Sequence, residues 1–206
     1  MNTAPRRALI VIDVQNEYFS GQLPIEYPPV ATSLPNITRA MEAARAHDIP
    51  VVLVQHDAPE TAPIFARGSE GWRLHPAVAD FPAQHRINKT RPSVFTGTDF
   101  AQWLAANQID TLTIVGYMTQ NCNASTVYEA AHAGFKVEVL GDATGALPYA
   151  NAAGQVSAEE IHRAFSVVFH SNFGAVADTA DWIAAVQAAR PLERDSVFGS
   201  NQRARR

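Results

Sequence analysis

The 206-residue chain has a single cysteine, Cys122, so it can neither staple itself with a disulfide nor build a thiolate metal cage. A reducing, cytoplasmic setting is therefore expected. It has only two lysines, Lys89 and Lys136, and sixteen basic residues in all against twenty acidic ones, for a formal charge of −4. Without a basic excess to neutralise phosphates, nucleic acid is excluded as the main partner. The one basic concentration, Arg203, Arg205 and Arg206, reads as a solvated tail. No apolar run approaches the ~20 residues of a membrane span. The stretch after Arg6 and Arg7 meets Asp13 too soon for a signal peptide, so no membrane partner is expected.

With 47% apolar and 17% charged side chains, a chain of this length buries roughly 70% of its unfolded surface in one core. The reading is one domain over 1–190 and a polar, Arg-containing tail over 191–206, too poor in apolar residues to fold alone. Apolar runs at 8–12, 51–54, 112–116 and 137–140 have the length of strands, and the first is continuous, as for a strand covered on both faces. Between them lie stretches of helical period. One spans Ser33 to His47 with Ile37, Ala40, Met41 and Ala44 on one face. Another runs from Thr98, as N-cap, to Asn107, with Phe100, Trp103 and Leu104 inward. A third, from about Asn121, is stopped by Gly134. Ser157 and Glu160 form a capping box for a helix with Ile161, Ala164 and Phe165 inward. Ala175–Ala177 reads as an edge strand, and Thr179 to Ala189 as a last helix. Alternating strand and helix predicts an α/β fold, a three-layer α/β/α sandwich on a mainly parallel sheet, with ligands bound beyond the carboxyl ends of its strands. The stretch from Asp57 to Phe95 is too long for an ordinary loop and is expected to be functional.

Three residues carry candidate chemistry. Asp13 closes the first strand, where a partly desolvated carboxylate can move protons, although a lone aspartate there also serves as a turn or cap. Lys89 lies within the long irregular stretch. In a chain that prefers arginine it offers a compact point charge, or else an exposed side chain; Lys136 reads as surface. Cys122 follows a buried strand at the first turn of a helix, where free N–H groups favour thiolate and can hold an oxyanion. The alternative is a small buried filler.

Together the three segments resemble a known family. Residues 8–16 (ALIVIDVQN), 88–98 (NKTRPSVFTGT) and 116–126 (GYMTQNCNAST) are similar, in order, to the aspartate, lysine and cysteine motifs of the isochorismatase-like cysteine hydrolases. The likeness spans most of residues 8 to 185. It implies a six-stranded sheet of Rossmann-like order and a triad of Asp13, Lys89 and Cys122. It also implies a cis peptide at Tyr117–Met118 and an oxyanion hole from the backbone N–H groups of Met118 and Cys122. The activity implied is hydrolysis of a C–N bond in a small amide, ureide or carbamoyl compound through a thioester. The true isochorismatases of the superfamily lack the cysteine. Its nicotinamidases bind a metal through Asp-x-His after the second strand, where this chain reads Val54-Gln55-His56-Asp57-Ala58. His75 and His85 do not restore that spacing, so no metal and no cofactor is expected, and His56 reads as a polar pocket or structural residue.

Loop position alone places Gln15, Phe19, Trp72, Tyr117 and Thr119 near the substrate, with Tyr149 and His162 outside them. The partner expected is a small-molecule substrate, and the resemblance implies a homo-oligomer, a dimer or tetramer. The competing reading is a non-catalytic member of the same fold that binds a small molecule or a protein. A redox enzyme would need a resolving cysteine.

Overall fold

The structure is a computed structural model that describes residues 4–206; the first three residues of the expected 1–190 domain lie outside it. Five strands, β1 (Arg7–Ile12), β2 (Val51–His56), β3 (His85–Lys89), β4 (Thr111–Tyr117) and β5 (Lys136–Gly145), are followed by a small hairpin, β6 (Tyr149–Asn151) and β7 (Gly154–Val156), and then by β8 (Ala175–Ala177). The main sheet has six strands in the order β3-β2-β1-β4-β5-β8. Every neighbouring pair in it is parallel.

The helices are α1 (Val30–Ala46), α2 (Pro76–Ala79), α3 (Phe100–Ala106), α4 (Ala124–His132), α5 (Ala158–Val168), α6 (Thr179–Gln187) and α7 (Val197–Ala204). Alternation along β1 sends Leu9 and Val11 to one face, against Ile37 and Met41 of α1 and Trp182 of α6. Ala8, Ile10 and Ile12 go to the other, against Phe100 and Leu104 of α3 and Val127 of α4. Both faces are covered, which is why β1 reads as an unbroken apolar run. The three-layer sandwich expected from the sequence is the fold observed.

Local differences have physical causes. The helix expected from Ser33 begins at Val30, directly after Pro29, so Ser33 lies inside it, buried, with its hydroxyl 2.8 Å from that of Tyr117. The helix expected to start at Thr98 starts at Phe100; Thr98 Oγ1 still accepts the Phe100 N–H at 3.2 Å but spends its own proton on the Val94 carbonyl. Trp103 is only half-buried and stacks on His85. The Ser157–Glu160 capping box forms reciprocally, at 3.2 and 2.9 Å. On α5, Ile161 and His162 are buried, Phe165 is half-buried, and Ala164 faces outward. The irregular stretch 57–95 contains α2 and β3. Only Ile87 and Lys89 of β3 are buried, so this edge strand has too little apolar signal to register as one. Residues 191–206 include α7, none of whose side chains is buried. No helix of the described residues is long and apolar enough to cross a membrane.

Candidate active site

The carboxyl ends of β1, β2, β3 and β4 lie side by side, and each delivers one group. Asp13 follows β1 with φ +50°, a left-handed turn that aspartate tolerates better than most residues. Its N–H is held by the Val54 carbonyl at 3.0 Å. Lys89 ends β3 in register with His56 of β2. β2 stands between β3 and β1, so a four-carbon stem is needed to carry the ammonium across to Asp13. β4 departs from β5 register between Ile114 and Gly116. Gly116 has φ +99°, and a Cβ there would sit 2.1 Å from the Ile12 carbonyl oxygen, so only glycine permits this approach to β1. The Tyr117–Met118 peptide bond is cis. A π-helical turn, Thr119–Asn123, then leads into α4, in place of the regular helix start expected near Asn121.

Cys122 lies in that turn. Its carbonyl accepts from Thr126 Oγ1 at 2.8 Å, and Thr126 Oγ1 accepts from the Val94 N–H at 3.2 Å, tying the cysteine turn to the segment after Lys89. Asn123 Nδ2 donates to the Gly116 carbonyl at 2.8 Å.

The structure brings Asp13, Lys89 and Cys122 together. Lys89 Nζ donates to Asp13 Oδ2 at 2.7 Å and to Cys122 Sγ at 3.3 Å, and lies 3.4 Å from His56 Nδ1. Asp13, Lys89 and Cys122 are exposed by only 0%, 2% and 5%. Burial alone would depress the Lys89 pKa, but the Asp13 carboxylate, aided by Cys122, overrides it and raises the pKa, so the ammonium stays charged. Burial pushes the Cys122 thiol up, Asp13 pushes it further, and Lys89 opposes both; the result lies far above the ordinary thiol range. This corrects the thiolate expected from a helix start. Burial beside a carboxylate favours the thiol over the thiolate. Among the described residues Asp13 Oδ1 has no hydrogen-bond partner, while Lys89 holds the other carboxylate oxygen.

A cavity of about 180 Å³ opens at Cys122, lined by Tyr18, Leu23, His56, Phe65, Met118 and Asn121 among others. None of the five side chains expected there from loop position lines it. Gln15 is fully buried; its amide donates to the His56 and Trp72 carbonyls at 3.0 and 2.7 Å and accepts the His56 N–H at 2.8 Å. Trp72 Nε1 donates to Asp57 at 2.6 Å. Tyr117 pairs with Ser33, and Phe19 packs on His75 and Tyr117. Thr119 Oγ1 lies 3.0 Å from Nδ1 of His162, which is buried rather than at the surface. The Tyr149 hydroxyl reaches Met118 Sδ at 3.6 Å. Tyr18, Leu23 and Phe65 were missed because nothing in their local sequence marks them as facing a cavity rather than the core.

Asp57 is spoken for. Burial would raise its pKa, but hydrogen bonds from Trp72, Asn88 and Arg67 outweigh that and hold the carboxyl below its ordinary range. Among the described residues, no group of three or more His, Cys, Asp or Glu side chains converges as a metal site would require. A larger cavity, about 290 Å³, lies near the opposite ends of β4 and β5, between Lys136, Phe173 and Leu192, and is lined by none of Asp13, Lys89 and Cys122.

The family model for the isochorismatase domain matches residues 7–181. The chain belongs to the isochorismatase family. It is 62% identical to an isochorismatase-type protein of Burkholderia xenovorans LB400 whose crystal structure superposes with a TM-score of 0.98 over 98% of each chain. The N-carbamoylsarcosine amidase of an Arthrobacter species is 30% identical over 161 residues, 66% of this chain and 60% of that one. The ureidoacrylate amidohydrolase of Methylobacterium radiotolerans is 29% identical over 211 residues, 86% of this chain and 78% of that one. The family thus consists of hydrolases, some of which act on C–N bonds.

Proposed function

We propose that the protein is a cysteine-dependent amidohydrolase that cleaves the C–N bond of a small amide, ureide or carbamoyl compound through a thioester. The observation that carries this reading is the buried ammonium of Lys89, 2.7 Å from Asp13 and 3.3 Å from Cys122. That arrangement leaves Asp13 Oδ1 free to take the thiol proton. Two amidohydrolases among the relatives support the bond type.

In this mechanism, substrate arrival couples two events: Asp13 Oδ1 removes the Cys122 proton as Sγ attacks the carbonyl carbon. The backbone N–H groups of Met118 and Cys122 hold the oxyanion. Lys89 stays charged throughout and offsets the negative charge as it passes from carboxylate to sulfur to substrate oxygen. Asp13 passes its proton to the leaving nitrogen, the C–N bond breaks, and ammonia or an amine departs. Water then adds to the thioester with its proton going to Asp13, and collapse releases the acid and returns the proton to sulfur. The cavity limits the substrate to a small molecule. No cofactor or metal enters any of these steps.

The test is ammonia release across a panel of primary amides, ureides and carbamoyl compounds, with hydroxylamine added to intercept the thioester. Turnover that vanishes in Cys122→Ala, together with hydroxamate formation by the unaltered enzyme, is the expected result. Turnover retained in Cys122→Ala would refute it.

A further inference from the structure

His56 has no place in the steps above, yet it lines the cavity at Cys122 and its Nδ1 lies 3.4 Å from Lys89 Nζ. An ammonium has three donors and no acceptor, so the nitrogen facing it must be the acceptor of the ring. A neutral imidazole with an acceptor at Nδ1 has its proton at Nε2. Burial, with Lys89 next, lowers the His56 pKa, which keeps the ring neutral. Nε2 lies on the far side of the ring from Lys89 and makes no hydrogen bond within the described residues. The ring itself is fixed edge-on to Phe65, at 5.4 Å between centroids.

We infer that His56 is a substrate-contacting residue whose Nε2–H, set by Lys89, donates to a second, uncharged acceptor on the substrate a few bonds from the reacting carbonyl. The inference rests on the amide-hydrolase reading. Its geometry comes from the sheet order: His56 ends β2 and Met118 follows β4, so they flank Asp13 from opposite sides. A carbonyl held at the Met118 and Cys122 N–H groups therefore points the rest of the molecule toward His56. The acceptor is uncharged because, among the described residues, the cavity wall offers no cation to a carboxylate. Among the described residues that line the cavity none is an arginine or lysine, and the neighbouring Lys89 and Arg67 are already paired, with Asp13 at 2.7 Å and with Asp57 at 2.8 Å. A carboxylate here would be desolvated against a neutral donor and close to two others. An ether, hydroxyl, carbonyl or ring nitrogen meets no such cost.

Three probes of similar size test this: 3-methoxypropanamide, pentanamide (a methylene in place of the ether oxygen) and the anion succinamate. The enzyme should favour the ether over pentanamide about five- to tenfold in kcat/KM, mostly through KM, as one neutral hydrogen bond allows. Succinamate should be the poorest of the three. His56→Asn keeps an acceptor toward Lys89 but withdraws the distal donor, so the preference should fall to about one. His56→Gln places an amide N–H near the Nε2 position and should retain it. Melting temperatures of both variants show whether either change merely unfolds the protein. An ether preference unchanged in His56→Asn, or lost in His56→Gln and kept in His56→Asn, would overturn the assignment. Best turnover of succinamate would overturn the uncharged class. Ammonia release from none of the three and from none of the wider amide, ureide and carbamoyl panel would remove the amide-hydrolase reading and this inference with it, whereas turnover within that panel but of none of the three, or turnover of pentanamide with no ether preference, removes this inference alone.

Discussion

Lys89 Nζ and Asp13 Oδ2 stand 2.7 Å apart with neither side chain exposed to solvent at all. A buried pair of this kind adds little net stability over a well-packed apolar pair, but removing one partner strands the other charge, at about 3–5 kcal/mol. Lys89→Met should therefore destabilise the fold by an amount of that order and abolish turnover. Asp13→Asn should do likewise. The double variant should recover part of the stability and none of the activity. Urea unfolding of the three variants checks this, and additive losses would show that the two groups do not interact.

The resting state of Cys122 is open to a chemical check. Because burial and Asp13 raise its pKa, the thiolate fraction near neutral pH falls below that of a free cysteine. Alkylation by iodoacetamide at pH 7 should be slower than for glutathione and should still be rising at pH 9. Intact-mass analysis over time gives the rate. Fast single labelling at pH 7 would mean that the helix end and Lys89 prevail over desolvation. Cys122→Ser, by contrast, should fold normally and lose at least about a thousandfold in kcat.

The central strands, Asp13 and Cys122 were legible in the sequence for one reason. A strand buried on both faces writes a largely apolar run, and Asp13 and Cys122 follow such runs. Lys89 was legible as a motif, but its strand was not, because β3 buries one apolar side chain. The cavity wall was not legible either. Leu23 and Phe65 reach it from loops whose course depends on distant anchors, such as the Gln15 amide joining His56 to Trp72. Glu138 shows the same limit. Nothing local marks a glutamate inside an apolar strand as the bidentate partner of Arg7, at 2.8 and 2.9 Å, that also accepts from Trp182 Nε1 at 3.0 Å.

His162 gives the fold a pH dependence. Burial lowers its pKa to about 4, against a weaker opposing pull from the Gly141 backbone. The unfolded chain takes up this proton near pH 6.5, while the native state resists until about pH 4. Between those values the unfolded state binds more protons, so stability falls as pH drops through the window and levels off below it. The loss from this residue is on the order of 3 kcal/mol at the acid end. His56 and His75, also lowered, act in the same direction. His162→Gln, which keeps a partner for Thr119, should flatten the difference between urea midpoints at pH 7 and pH 4.5. An unchanged difference would assign the acid sensitivity elsewhere.

Two glycines of positive φ separate backbone strain from close packing. Gly97, at φ +73°, has nothing within 4 Å of where a Cβ would stand, so Gly97→Ala should cost only the left-handed backbone penalty, about 1–2 kcal/mol. Gly116, at φ +99°, would drive a Cβ to 2.1 Å from the Ile12 carbonyl oxygen and 2.8 Å from its nitrogen. Neither backbone atom can yield without parting β1 from β4, and Asp13 follows Ile12 directly. Gly116→Ala should thus lose well over 3 kcal/mol or fail to yield folded protein, and any folded fraction should have Asp13 displaced from Lys89 and little turnover. Urea midpoints of the two variants give the comparison, and equal costs would show that β1 and β4 can separate at the active-site end without penalty.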